Sequence, residues 1–134
     1  MLSCDEHGIA TGFSYHDGYL DGVLVAKDGK EARFALRSIE GVRRVLTVRG
    51  LVRLQVDNFR QGNIVGTIWT LRGEQASANL EVRRMLIETL GRPALPDGTL
   101  AFMIDTSYGA NVIAICSEAL VSEPGVTLDA VSSY

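Results

Sequence analysis

Within the seven residues from Tyr15 to Asp21 stand Tyr15, His16, Asp17, Tyr19 and Asp21, the densest set of proton-handling side chains in the chain. An imidazole beside carboxylates is the material of an acid–base pair or a small polar binding corner. On extended backbone Tyr15, Asp17, Tyr19 and Asp21 share one face, and His16 points the other way. His16 and Asp17 then serve one centre only if a bulge at Gly18 or Gly22 re-aims one of them. A structural assignment competes with this: His16 bonds backbone at a strand entrance and Asp17 caps the Gly18 turn. An enzyme here would be a small-molecule or metal-dependent one in which His16, Asp17, Asp21 and Tyr108 converge.

The motif inventory argues against catalysis. The chain has no Gly-x-Ser-x-Gly, Cys-x-x-Cys or His-Glu-x-x-His, and its two histidines leave little choice of base. The approach to the helix, Arg72-Gly73-Glu74-Gln75-Ala76-Ser77, has an acidic group where a phosphate would sit. Cys4, His7, His16 and Cys116 are zinc-type ligands, but their spacing matches no compact zinc module, and Cys116 lies in an apolar run as a small hydrophobe. The reading is therefore a non-enzyme with no catalytic residue, no metal and no cofactor.

The second feature is charge. The formal net charge is −3, yet residues 1–26 carry −4, residues 27–72 carry +6 and residues 73–134 carry −5. The basic excess is arginine, eleven against two lysines. Arg33, Arg37, Arg43, Arg44, Arg49, Arg53 and Arg60 are spread over three strands and a loop, and strands about 4.8 Å apart can merge same-face side chains into one surface. Arginine forks suit carboxylates, so an acidic protein partner is one expectation. The acidic total, the scarcity of lysine and the lack of aromatic–basic interleaving argue against nucleic acid. The competing assignment is internal: the acidic ends fold back and neutralise the basic strands. The binding candidates are thus His16, Asp17, Tyr19, Asp21, Tyr108, Arg43, Arg44 and Arg53.

The elements that must position these residues are mostly strands. Tyr19 to Ala26 alternates and ends at Asp28-Gly29, a hairpin signal. Glu31–Ser38, Val42–Val48, Leu51–Asp57 and Asn63–Leu71 follow, the last with Gly66 marking a bulge. From Ser77, as N-cap, the period becomes helical: Ala78, Val82, Met85, Leu86 and Leu90 form an apolar stripe widened by Ile87, and Gly91 stops it. Glu81–Arg84 and Arg84–Glu88 are spaced for ion pairs. Leu100–Ile104 and Val112–Cys116 are sixth and seventh strands, with Val126–Tyr134 a short strand or ordered tail. Residues 1–12 read as a mobile or edge-docking lead-in.

A chain of 134 residues, 46% hydrophobic, suffices for one domain over residues 1–134 and is too apolar for disorder. The longest uncharged stretch, Thr106–Ser117, is shorter than the roughly 20 residues of a membrane span, and no leader pattern opens the sequence. A soluble cytoplasmic protein is expected. The fold class is α+β: an antiparallel β-meander of about five strands, one amphipathic helix, then a β-hairpin. The form expected is a curved sheet or sandwich, or a small barrel plugged by the helix, with Phe34, Trp69 and Phe102 in the core.

The segments Phe13-Ser14-Tyr15-His16-Asp17, Gly50-Leu51-Val52-Arg53-Leu54, Gly62-Asn63-Ile64-Val65 and Ser107-Tyr108-Gly109-Ala110-Asn111 resemble a group of small uncharacterised bacterial domains, some labelled immunity proteins. The resemblance implies a β-rich fold, binding rather than catalysis, and proximity of His16-Asp17 to Tyr108-Gly109. The function expected is a small binding or interaction protein, immunity-like; the alternative is a homo-oligomer module without ligand.

Overall fold

A computed structural model describes residues 1–128. Its strands are β1 (Tyr19–Val25), β2 (Glu31–Arg37), β3 (Arg43–Arg49), β4 (Arg53–Asp57), β5 (Asn63–Leu71), β6 (Leu100–Tyr108), β7 (Asn111–Cys116) and β8 (Glu118–Val121). Two helices, α1 (Gly73–Ala78) and α2 (Leu80–Leu90), stand between β5 and β6. All pairings are antiparallel and build one sheet in the order β4-β7-β6-β5-β1-β2-β3-β8. The α+β class and the antiparallel sheet are as expected, with more strands than the periodicity marked. The five-strand meander is not found, because only β1, β2 and β3 of the first five are consecutive neighbours, while β3 pairs β8, β4 pairs β7 and β5 pairs β1.

Period-two alternation explains the wrapping. Leu20, Phe34, Leu46, Val65, Phe102, Val112 and Ala119, from seven of the strands, meet in one buried cluster, so the sheet coils around a single inner core. Phe34 and Phe102 stack there at 5.5 Å between ring centroids. The alternate residues of the last strands, Ala101, Met103, Ile113 and Ile115, face outward and form a second cluster with Val82, Met85 and Leu86 of α2. The helix therefore covers the outside of the sheet. The barrel plugged by a helix is not found: the strand order ends at β4 and β8, and the interior is filled by side chains. Trp69 belongs to the outer cluster, half-buried against the helical layer.

The ends of the sheet meet at one corner. β4 continues β3 after three residues and β8 continues β7 after Ser117. At the bend Ser117 N donates to Arg49 O and Val52 N to Ile115 O, each at 2.8 Å. Gly50 has φ +65° there, and a Cβ on it would strike the Ser117 side chain. The lead-in docks: Leu2 and Ala10 are buried, Leu2 N donates to Ala119 O on β8, and Ala10 N to Ile68 O on β5.

The helical segment differs from its expected form. Asn79, extended at φ −78° and ψ 122°, breaks it in two, and its side-chain oxygen accepts from Glu81 N and Val82 N. Asn79 thus caps α2, while Ser77 lies inside α1 and donates back to the Gly73 carbonyl. Ile87 is 46% exposed, outside the buried stripe. Among the described residues Arg84 forms no ion pair with Glu81 or Glu88. Gly91 ends α2 as the sequence indicates. Val126–Leu128 run on from β8 beside Ala35, Leu36 and Arg43, and the rest of the expected terminal strand lies outside the described residues.

Candidate functional site

Cross-strand register collects part of the candidate set into one row. Tyr108 of β6 pairs Ile64 of β5, Ile64 pairs Tyr19 of β1, Tyr19 pairs Arg37 of β2, and Arg37 pairs Arg43 of β3. Directly opposed residues share a face, and Leu20, the neighbour of Tyr19, is buried inside, so this row lies on the outside of the sheet. Four strand spacings make it about 19 Å long around the curved surface. Tyr108 is 51% exposed, with the Arg60 guanidinium 5.8 Å from its ring centroid. The Arg37 guanidinium lies 4.4 Å from the Tyr19 centroid. Aromatic and basic residues that are not interleaved along the chain are stacked in space.

Asp21 sits beside this row because β1 is irregular there. The register slips between Leu20 and Gly22, leaving Asp21 as the extra residue of a bulge. Its carboxylate accepts from Arg37 Nε at 2.9 Å and Nη2 at 3.2 Å, a forked pair, and lies 3.9 Å from Arg43. That hydrogen bonding raises the Arg37 pKa above its ordinary value. The Arg43 side chain is 54% exposed, and among the described residues its ion pairing is this longer contact to Asp21.

His16 and Asp17 occupy a different setting. Residues 15–18 form a turn rather than extended backbone: Gly18 N donates to Tyr15 O, and Asp17 has φ +61°. β5 bulges at Gly66, as its glycine implied, and His16 Nδ1 donates to the Gly66 carbonyl at 2.8 Å. His16 Nε2 stands 3.6 Å from Asp17 Oδ1, with both side chains more than half exposed. The turn lies against the same strand, since Asp17 N donates to Val65 O at 2.9 Å. Among the described residues no hydrogen bond or ion pair links His16 or Asp17 to Asp21 or Tyr108. A shallow cavity of about 350 Å³ beside His16 is lined by Phe13, Ser14, Tyr15 and Thr67 among others.

The remaining arginines are elsewhere. Arg44 has the parity of Leu46 and Val48, so it points to the inner end of the core, where Nη1 donates to Ser122 O and the guanidinium lies 5.6 Å from the Phe13 centroid. Arg53 is exposed on β4, opposite Ile115 and remote in register from the row. Arg49 is held between Glu31 at 2.8 Å and Glu118 at 3.6 Å, and Arg33 pairs with Glu31. Asp21 from the acidic first segment and Glu118 from the acidic last one therefore fold onto the basic strands.

The zinc-type residues are dispersed. Cys4 Sγ lies 2.9 Å from Thr70 Oγ1, His7 is exposed, and Cys116 is in the inner core. Burial pushes the Cys116 thiol up to about 12. Among the described residues no three His, Cys, Asp or Glu side chains are grouped to hold a metal. No helix of the described residues is long and apolar enough to cross a membrane.

Reading the sequence for chemistry passed over Asn63, the most connected polar side chain. It is fully buried; Oδ1 accepts from Arg60 N and Ala110 N at 2.9 Å, and Nδ2 donates to Leu20 O and Arg60 O. All four hydrogen-bonding positions are filled, which joins the Asn58–Gly62 loop, β1 and the Tyr108–Asn111 turn behind the row. Arg37 and Arg60 stand out in the sequence only as part of the basic stretch, and Ile64 not at all; register places Arg37 and Ile64, and the Asn58–Gly62 loop places Arg60 against Tyr108.

No family model and no curated protein matches the chain. In fold it is similar to the crystal structure of an uncharacterized protein from Neisseria gonorrhoeae, with a TM-score of 0.52. That likeness covers 81% of this chain and 93% of the other at 9% identity, so it speaks to architecture alone.

Proposed function

We propose that the protein is a small binding module that captures an acidic protein partner on the row Tyr108–Ile64–Tyr19–Arg37–Arg43. The single observation behind this reading is the row itself, with tyrosine and arginine stacked at two places along an exposed face. Tyr and Arg are the residue types that dominate interface energetics, because they join large contact area to directional hydrogen bonding. Arg60 and Arg43 stand exposed towards opposite ends, Arg43 with only a long 3.9 Å contact to Asp21 among the described residues, and each can take a carboxylate, with Ile64 and Tyr19 between them. Two separated cations around an apolar middle suit discrete acidic side chains of a folded protein. A continuous phosphate backbone would also meet Asp21, whose carboxylate sits beside Arg37 and Arg43. This is the kind of activity implied by the resemblance to immunity-like domains.

The test is affinity capture from an extract of the source cells, followed by titration of the retained protein. Wild type should retain a protein of acidic isoelectric point at 1:1 stoichiometry, with binding weakened by salt. The Arg43→Glu/Arg60→Glu/Tyr108→Ala variant should stay folded and lose it. Retention of the same proteins by both would sink the reading.

A further inference from the structure

We infer that β4 is a self-complementary edge through which two copies of this chain associate, a conclusion independent of the partner-binding row. The two terminal strands of the sheet are treated differently. β8 is covered by the lead-in, Leu2 N donating to Ala119 O at 3.0 Å. Among the described residues β4 has backbone pairing to β7 alone, so alternate N–H and C=O groups along Arg53–Asp57 face outward without a protein partner. Lys30 of the β1–β2 turn accepts from Leu51 N at 2.9 Å just ahead of β4, and among the described residues no backbone bond from that turn reaches Arg53–Asp57.

The sequence of this edge is a charge palindrome: Arg53-Leu54-Gln55-Val56-Asp57. An antiparallel two-fold through Gln55 sets Arg53 opposite Asp57 of the second copy, and Asp57 opposite its Arg53. It sets Leu54 opposite Val56, both half-buried and packed on the inner core. The same operation would cover flanking apolar surface, since Val52 and Phe59 are 47% and 48% exposed on either side of the strand. Opposite charges directly across strands are favourable and like charges unfavourable, so this register selects itself against a slipped one. A heterologous acidic or basic strand would satisfy only half of the charges; a second copy satisfies both.

Sedimentation velocity of the whole chain over a dilution series tests this. Wild type should approach twice the 14.5 kDa chain mass as concentration rises through the micromolar range. Arg53→Asp and Asp57→Arg, each placing like charges across the two-fold, should each weaken the dimer by about tenfold or more. The double exchange Arg53→Asp/Asp57→Arg should restore it, a rescue that mere surface damage cannot produce. Circular dichroism melts establish that each variant is folded, and the two single variants back each other should one fail. A wild-type monomer up to millimolar concentration overturns the inference. So does a dimer insensitive to both single changes, or one that the double exchange leaves weak. Capture of an acidic partner by the row can survive either result.

Discussion

Asn63 Oδ1 lies against the α-carbon side of Gly109, where any Cβ would collide with it, and accepts the next amide, Ala110 N, at 2.9 Å. Gly109 has φ +100°, a conformation that other residues enter only with strain. The two residues thus set the β6–β7 turn, and with it the position of Tyr108.

Asn63→Ala should therefore cost about 3 kcal/mol or more, since it strips partners from two amides and two carbonyls in a dry site. Urea denaturation with an unchanged slope measures this. Gly109→Ala should cost at least about 2 kcal/mol through strain and displacement of the Asn63 amide. The double variant should fall well short of the sum, because both changes break the same contact. Additive losses would mean that the two sites are independent.

Cys116 makes a pH prediction. Its thiol is raised from 9.0 to about 12 by burial, so between those values the unfolded chain releases a proton that the native protein keeps. Fewer protons on the unfolded state make stability fall as pH rises, by up to about 1.4 kcal/mol per unit from this group. Tyr15, raised above 10.0 chiefly by burial, acts in the same sense. Cys116→Ala should flatten the alkaline limb of a plot of unfolding free energy against pH. In native protein at pH 8 a thiol reagent should modify one cysteine, Cys4, and reach Cys116 only after unfolding. Equal rates at both thiols would contradict this.

Gly50→Ala should be destabilising by about 2 kcal/mol or more, from positive φ and collision with Ser117 at the corner joining the two ends of the sheet. Adding Ser117→Gly should return the part due to collision and leave the part due to φ. Thermal melts of the three proteins separate the two contributions. No recovery in the double variant would mean that the hydroxyl is not the obstacle.

Much of the strand content and the helix was legible because alternation and helical period are local properties of the chain. Tyr19, Glu31, Asn63 and Leu100 begin strands where the alternation begins, and the bulge at Gly66 was marked by its glycine. The break at Asn79 was not, because an amide that can cap a helix or sit within one has no signature of its own. β8 went unmarked as a separate strand because only Ser117 parts it from β7, at a corner that depends on Gly50 in a distant strand.

By itself the sequence determined an α+β chain with one amphipathic helix stripe, segregated charge and candidate polar residues around position 16. Tertiary structure alone decided which of those candidates meet. Register carried Tyr19, Tyr108 and Arg43 into one row and brought in Arg37 and Ile64, while the loop before β5 laid Arg60 beside Tyr108. A one-residue bulge aimed Asp21 at Arg37, and a four-residue turn left His16 on the Gly66 carbonyl. The physical reason is the period of two: a shift of one residue moves a side chain to the opposite face, and such shifts are set by pairings far away in the chain.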